Sequence, residues 1–206
     1  TTYVLGKEFR VKGDADVAIT GSVLQSGPSA GSSPAPTPTP IILHADADNS
    51  GAGAVSIVQS NLWSYGGDIV VGGGVNPLVN PALALASGAG IANGVWISDS
   101  DIDAAGGDIS IRGKAYKTGA QTDNLAGVNV LTNGTHGITT SGTGSITIVG
   151  EAANFAGADG NAFGIYLNAS PASSVLNIAA QNGNVSLTGT ASGGIIGFNS
   201  LGVDAI

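Results

Sequence analysis

Apolar and polar residues alternate in four short segments of the chain, and each segment begins and ends with glycine. In each segment a small polar residue follows the first glycine, and two aliphatic residues then stand two positions apart. The four segments are residues 67–73, 107–113, 144–150 and 183–189. Because successive strand side chains point to opposite faces, both aliphatic residues of a segment share one face. The pattern predicts four related β-strands, each with one face in a core.

The spacing of these segments predicts a repeat protein. Their first glycines are 40, 37 and 39 residues apart, which is the period of a stacked solenoid rather than of a closed globule. A second, weaker motif lies between the copies of the first, at residues 54–57, 94–97, 127–130 and 164–167. If each motif occupies its own turn, one turn holds roughly 20 residues. We therefore expect an all-β chain that folds as a parallel β-helix of about nine or ten turns.

Stacking of the turns is expected to place the aliphatic pairs above one another in a dry column, with about 4.8 Å between turns. Ile109 with Ile111 is one such pair. The glycines at both ends of each segment are expected to supply positive φ angles at tight corners. The polar residues after the first glycines are expected to hydrogen-bond the local backbone. These residues are Asp68, Asp108, Ser145 and Asn184.

Departures from the period divide the chain. Residues 1–26 are expected to hold an N-terminal strand and the start of the solenoid, since residues 16–21 form a shortened copy of the main motif. Residues 27–40 contain five of the eight prolines and are expected to leave the sheets as a Pro/Ser-rich loop. Residues 41–206 are expected to form the β-helix repeats, with an insertion at 75–87. The last residues form no polar cap, which predicts either a piece of a longer rod or end-to-end assembly.

Composition supports the β assignment and excludes several classes of function. The chain has 34 glycines and only 10% charged residues, and each glycine inside a helix costs about 1 kcal/mol relative to alanine. The net charge of −8 disfavours a nucleic-acid partner. The sequence contains no apolar run of about 18 residues that would predict a membrane span. The absence of cysteine excludes disulfides and thiolate metal sites.

A family resemblance lies in residues 40–57, PIILHADADNSGAGAVSI, followed by residues 66–73, GGDIVVGG. These segments resemble the repeat region of filamentous-haemagglutinin-like secreted proteins of bacteria, and the similarity extends over about residues 41–190. The resemblance implies a right-handed parallel β-helix that is secreted or displayed on the bacterial surface for adhesion, biofilm formation or antagonism. Asn76-Pro77-Leu78 matches the secretion-domain motifs of that family only in part, so the chain is placed in the rod.

One segment has the spacing of a calcium loop. Asp46, Asp48 and Ser50 place oxygen-bearing side chains at alternate positions before Gly51, as Ca²⁺ loops do. The twelfth position of such a loop is Ile57 rather than a bidentate glutamate. Calcium binding and a solvated polar corner therefore both remain as interpretations. No other cofactor is expected.

Four aromatic residues are candidates for ligand binding. Trp96 and Tyr166 each stand between two inward aliphatic residues and are expected to face outward, and Trp63 and Tyr65 are the other two candidates. Exposed aromatic rings stack on sugars or anchor protein partners. The alternative is that the insertion at 75–87 covers them.

A carbohydrate-active enzyme is a further alternative. Asp99, Asp101 and Asp103 could meet the basic residues that follow the next strand, and such a cluster could act on a polysaccharide. The same residues would form a surface ion-pair patch of little energy. His44 and His136 are not next to a nucleophile motif, so no catalytic residue is assigned. The basic residues are Arg112, Lys114 and Lys117.

These observations lead to one interpretation and two alternatives. The chain is interpreted as a structural, non-enzymatic rod segment of a secreted or surface adhesin of bacteria. Its expected partners are a glycan or protein of a host or bacterial surface, or further copies of itself joined end to end. The alternatives are a subunit of an extracellular filament and a carbohydrate-active β-helix enzyme.

Overall fold

The computed structural model describes residues 2–5, 8–26, 37–86, 92–117, 125–153, 162–192, 196–201 and 203–205. These residues form β-strands joined by corners and contain no helix. The loop expected at 27–40 falls mainly outside the described residues, and its last four residues, 37–40, have no regular structure.

Twenty strands are described along the chain. They are β1 Thr2–Leu5, β2 Phe9–Lys12, β3 Val17–Thr20, β4 Val23–Ser26, β5 Ile41–Ala45, β6 Val55–Val58, β7 Asn61–Trp63, β8 Ile69–Gly73, β9 Ala82–Ala86, β10 Asn93–Ser98, β11 Asp101–Asp103, β12 Ile109–Lys117, β13 Leu125–Thr132, β14 Thr135–Thr140, β15 Ile146–Ala153, β16 Ala162–Ala169, β17 Val175–Ala180, β18 Val185–Ser192, β19 Ile196–Leu201 and β20 Val203–Ala205.

Three parallel sheets run along the solenoid, and the chain visits them in turn. The first sheet has the order β1-β4-β7-β11-β14-β17-β20, and the second has the order β2-β5-β8-β12-β15-β18 with β9 also paired to β12. The third sheet has the order β3-β6-β10-β13-β16-β19. Each circuit of the chain thus adds one strand to every sheet. The expected parallel β-helix is confirmed.

The register confirms the stacking of the motifs and corrects the size of the turn. In the second sheet Ile109 lies opposite both Ile69 and Ile146, and Ile146 lies opposite Val185. The weaker motif stacks in the same way in the third sheet, where Val95 lies opposite Val55 and Val128.

Because the two motifs occupy different sheets of the same turn, the 20-residue turn is wrong. Where the main motif stacks, one turn takes the full repeat of 37 to 40 residues, as the 40-, 37- and 39-residue offsets of the paired strands show. Turns toward the two ends are shorter, since Thr2 of β1 lies opposite Val23 of β4 and Leu176 of β17 lies opposite Val203 of β20. The turns are therefore larger and fewer than nine or ten. Residues 16–21 also belong to the other motif, since β3 pairs with β6 in the third sheet.

The core is a column of aliphatic side chains enclosed by the three sheets. Ile41, Ile69, Ile109 and Ile146 form one ladder from the second sheet, and each is at most 1% exposed. Equivalent ladders project from the other two sheets and join the same buried cluster. Burying an aliphatic side chain of this size contributes about 1.5–3 kcal/mol. Stability thus comes from contacts between turns.

The polar corner residues bond the neighbouring turn rather than the local backbone. The backbone N–H of Asp108 donates to Asp68 Oδ1 at 2.9 Å, and that of Ser145 donates to Asp108 Oδ1 at 2.8 Å. The N–H of Asn184 donates to Ser145 Oγ at 3.2 Å. The expectation of local hydrogen bonds is wrong because equivalent corners stack directly on one another. This polar ladder runs parallel to the aliphatic one.

Backbone proximity, rather than positive φ, explains the glycines that close the main motif. Beyond the central core, β12 and β15 lie against β13 and β16 of the third sheet. A Cβ atom at Gly113 would overlap the carbonyl oxygen of Gly127, and one at Gly150 would overlap that of Gly164. Neither Gly113 nor Gly150 has a positive φ, so that expectation is wrong for them. The second and third sheets can approach this closely only because the residues at these positions are glycines, which have no side chain.

The insertion at 75–87 does more than lengthen a corner. Residues 76–80 form a compact turn in which the N–H of Asn80 donates to the carbonyl of Asn76 at 2.7 Å. The chain then forms β9, which pairs in parallel with residues 113–117 of β12. The insertion therefore folds onto the second sheet and extends it. Residue 87 lies outside the described residues.

This packing predicts that Gly150→Ala destabilises the chain by at least about 2 kcal/mol, since the added methyl meets backbone that cannot rotate away. Gly137→Ala is the matched control because its Cβ would have its nearest neighbours at 3.2 Å. The control should lose about 1 kcal/mol or less. Urea unfolding of both variants checks this, and equal losses would contradict the close approach of the two sheets.

Candidate functional site

The outward face of the third sheet carries the predicted aromatic pair. Trp96 on β10, Asn129 on β13 and Tyr166 on β16 lie in one row across three neighbouring strands. Trp96 is 38% exposed and Tyr166 is half-buried, so the expected outward orientation is confirmed. The described part of the insertion lies on the second sheet and not over this row.

Two adjoining clefts form a groove on this face, which we call the third-sheet groove. The first has a volume of about 250 Å³ and is lined by Asn93, Asn129, Leu131, Phe163, Tyr166 and Asn168, together with Ala126. The second has a volume of about 240 Å³ and shares Leu131 and Asn168 with the first. Its other lining residues are Ser98, Asp99, Thr132, Asn133 and Ser170. The groove thus follows the direction of β13 and β16.

A buried amide in the first cleft has a free acceptor. Asn129 is only 7% exposed, and its Nδ2 donates to Asn93 Oδ1 at 3.1 Å. Its Oδ1 is buried and has no hydrogen-bond partner within the chain. Leaving such an oxygen unpaired costs about 1–3 kcal/mol. A donor from outside the chain would remove that cost.

The aromatic side chains of the first cleft are fixed by each other. The rings of Phe163 and Tyr166 have centroids 4.9 Å apart and planes tilted by 40°. Asn168 Nδ2 lies 3.5 Å from the Tyr166 hydroxyl, at the boundary between the two clefts. The cleft therefore combines an aromatic surface with three amide side chains on rigid strands.

The other two predicted aromatic residues lie elsewhere. Trp63 projects from β7 in the first sheet, and Tyr65 stands at the following corner with a φ of 49°. The four aromatic candidates therefore do not form one site. Trp96 and Tyr166 remain the pair that shares a surface.

Trp63 lines a different cleft of about 310 Å³ on the first sheet, with Asp101, Asp103, His136, Thr139 and Asn177. Asp101 Oδ2 lies 3.3 Å from His136 Nδ1, and its Oδ1 accepts the N–H of Gly137 at 2.9 Å. Asp103 Oδ1 accepts the N–H of Ala105 at 2.8 Å. Both carboxylates therefore already bind groups of the chain itself.

The acid–base cluster proposed for an enzyme is not formed. Lys114 pairs with Glu151 at 2.8 Å on the outer face of the second sheet. Asp101 and Asp103 lie on the first sheet, and Asp99 precedes them at a corner where its Oδ1 accepts the N–H of Asn133. Because one turn spans three sheets, β11 and β12 lie on different sides of the solenoid. Arg112 also lies on β12, and the side chain of Lys117 is outside the described residues.

The calcium candidates form a hydrogen-bonded corner. Asp46 is 4% exposed, and its Oδ1 accepts the N–H of Gly51 at 3.0 Å and the hydroxyl of Ser50 at 3.4 Å. Asp48 Oδ1 accepts the N–H of Ser50 at 3.2 Å. Across the described residues, no group of three His, Cys, Asp or Glu side chains is placed to bind a metal ion.

His44 is buried rather than exposed. Its Nε2 contacts the carbonyl of Gly74, and the turn at 76–80 lies over the same part of the second sheet. With 5% exposure, His44 packs between the second sheet and that turn as a structural residue.

Asn93, Asn129, Phe163 and Asn168 were missed in the sequence analysis. A signal for Asn129 was present, since it occupies the same motif position as Trp96 and Tyr166. The contribution of Phe163 and Asn168 depends on the relative placement of neighbouring turns, which the motif alone does not give.

Comparisons of the chain with protein-family models, with curated proteins and with solved structures find no match. Within the described ranges, the structure contains no helix with the length and apolar character needed to cross a membrane.

The corner at Asp46 yields a direct prediction. Asp46→Ala should lower the free energy of unfolding by about 1–3 kcal/mol, because two groups lose a buried acceptor. Asp46→Asn keeps one amide oxygen in place and should lose less than about 1 kcal/mol. Thermal unfolding of both variants in chelator and in excess Ca²⁺ checks this. A calcium-dependent rise in Tm that Asp46→Asn abolishes would instead identify an ion site.

Proposed function

We propose that the chain is a structural rod segment of a secreted or surface-displayed bacterial adhesin. The single observation that carries this proposal is the unbroken register of the three sheets. Each turn continues the core of the previous one and leaves outer sheet faces available for partners, apart from the part of the second sheet that the turn at 76–80 covers. The resemblance of residues 40–57 and 66–73 to adhesin repeats supports the same function.

The proposed role as a scaffold follows from how the strands are paired. The named strands lie in parallel ladders, so their backbone groups are bonded to neighbouring turns along the rod. A protease must locally unfold a strand before it can cleave, and unfolding one turn exposes the cores of both neighbours. Such a rod holds its surface groups at fixed separations outside a cell.

Surface groups suited to adhesion are present at two places. One is the row of Trp96, Asn129 and Tyr166 on the third sheet. The other is the tip of the insertion, where Val75, Leu78 and Val79 are 75%, 54% and 66% exposed. The tip is ordered by local bonds, since the N–H of Leu78 donates to Asn76 Oδ1 at 3.1 Å. Adhesion through such fixed surfaces would need no chemical reaction.

A filament subunit is the second candidate, and one observation favours it. The inward residues of the outermost described strands of the second sheet are only half-buried, unlike their equivalents in the middle. Another copy whose strands continued the second sheet in register would bury these side chains further. The half-buried residues are Phe9 and Val11 on β2, and Val185 and Leu187 on β18.

Adhesion can be tested with beads coated with the purified chain. The proposal predicts saturable attachment of coated beads to epithelial or bacterial cells, and competition by the soluble chain. The control is beads coated with unfolded Gly150→Ala, which has the same net charge as the parent chain and differs from it in composition by one residue. Attachment no better than that control would contradict the adhesin function.

The filament candidate has a separate test. Electron microscopy and size-exclusion chromatography over a range of concentrations should show single short rods if the chain is a rod segment. Concentration-dependent lengthening of the rods would favour the filament instead.

A further inference from the structure

We propose that the third-sheet groove is a binding site for a neutral oligosaccharide, with Asn129 and Tyr166 as its central contacts. This inference rests on the proposed adhesin function and names the kind of ligand that one of its surfaces takes. It is argued from the geometry and polarity of the groove.

The free oxygen of Asn129 requires a hydrogen-bond donor. Asn129 Oδ1 is buried without a partner, and its Nδ2 donates one of its two hydrogens to Asn93. A sugar hydroxyl donates one hydrogen bond and accepts others, so it can bind this oxygen and a neighbouring amide together. The amides of Asn93 and Asn168, at either end of the first cleft, complete a set of donors and acceptors.

The aromatic side of the cleft selects a ligand that also has an apolar face. Tyr166 and Phe163 line the cleft beside the amides, and the two rings contact each other. The carbon face of a pyranose ring packs on such an aromatic surface while its hydroxyls point to the edges. A polar ligand without such a face would make no apolar contact with the rings.

The charges of the groove favour a neutral sugar over an acidic one. The first cleft is lined by uncharged side chains. The second contains Asp99, and the chain as a whole has a net charge of −8. An anionic sugar would be repelled by both, and no cationic side chain lines either cleft to offset that repulsion.

The size of the groove favours an oligomer over a single sugar. Each cleft, at about 250 and about 240 Å³, lies below the usual range for a drug-sized ligand, which is about 300–1,000 Å³. A single ring suits one cleft of this size. Because Leu131 and Asn168 belong to both clefts, linked rings can continue from the first into the second.

The test is a binding titration of the full chain followed by NMR. The probes are neutral tetrasaccharides of glucose, mannose, galactose and N-acetylglucosamine, with trigalacturonate as the acidic comparison. At least one neutral probe should bind with a Kd in the millimolar range or tighter, as is expected for a small site with few contacts. It should shift the side-chain amide signal of Asn129, whereas trigalacturonate should bind at least about 10-fold more weakly.

Variants assign the binding to the groove. Asn129→Ala and Tyr166→Ala should each weaken binding at least about 10-fold. Tyr166→Phe keeps the ring and should stay within about 3-fold of the parent chain. Trp63→Ala removes an aromatic ring from the first sheet instead and should leave the affinity unchanged. Circular dichroism checks that every variant is folded.

Two results would overturn the inference. One is that none of the neutral probes binds, and the other is that binding survives both Asn129→Ala and Tyr166→Ala in folded protein. These failures are separate from failure of the adhesin function. If coated beads attach to cells equally well with Asn129→Ala, the adhesin function is supported and the sugar site is contradicted. If the chain binds a sugar but attaches to no cell, the sugar site is supported and the adhesin function is contradicted.

Discussion

The aliphatic ladders between successive turns are the interaction on which the rest of the structure depends. Ile69, Ile109 and Ile146 lie in direct register and are completely or almost completely buried. No turn of this chain can bury its own inward side chains, so each depends on its neighbours. A shift of one residue in any strand would move its inward residues to the outside. The same register therefore fixes every outward row, including the one that contains Asn129.

A second constraint shapes the cross-section. Where the second and third sheets extend past the central core, their backbones approach so closely that only glycine fits, as at Gly113 and Gly150. Beyond this point, Ala92 and Ala115 pack with Leu125 in a second buried cluster. The first residues of β13 and β16 lie at this junction, since Gly127 and Gly164 are the glycines that face Gly113 and Gly150. The third-sheet groove, with Phe163 beside Tyr166, lies next to this glycine junction.

The sequence was sufficient to predict the parallel β-helix, because equivalent residues of each motif were already spaced by the period of the turn. It was not sufficient to predict the turn size. Both motifs place aliphatic residues at alternate positions, and that pattern is the same whether they form two turns or two sides of one turn. Because of the same ambiguity, Asp101 was expected to lie close to Lys114, whereas the two residues belong to different sheets. Of the predicted aromatic pair, only Tyr166 lines the groove. Asn129 could not be predicted as a binding residue, since its free Oδ1 depends on where Asn93 lies in the preceding turn.

The most direct test of the stacked register is a distance between spin labels on its outer face, which the absence of cysteine makes practical. Arg10 and Ser186 are both exposed and are joined by five successive strand pairings of the second sheet. Cysteines at these two positions should give a narrow distance distribution near 24 Å, from about 4.8 Å per pairing. A distance of roughly 40 Å, as a stack of half-sized turns would give, or a broad distribution would contradict the account.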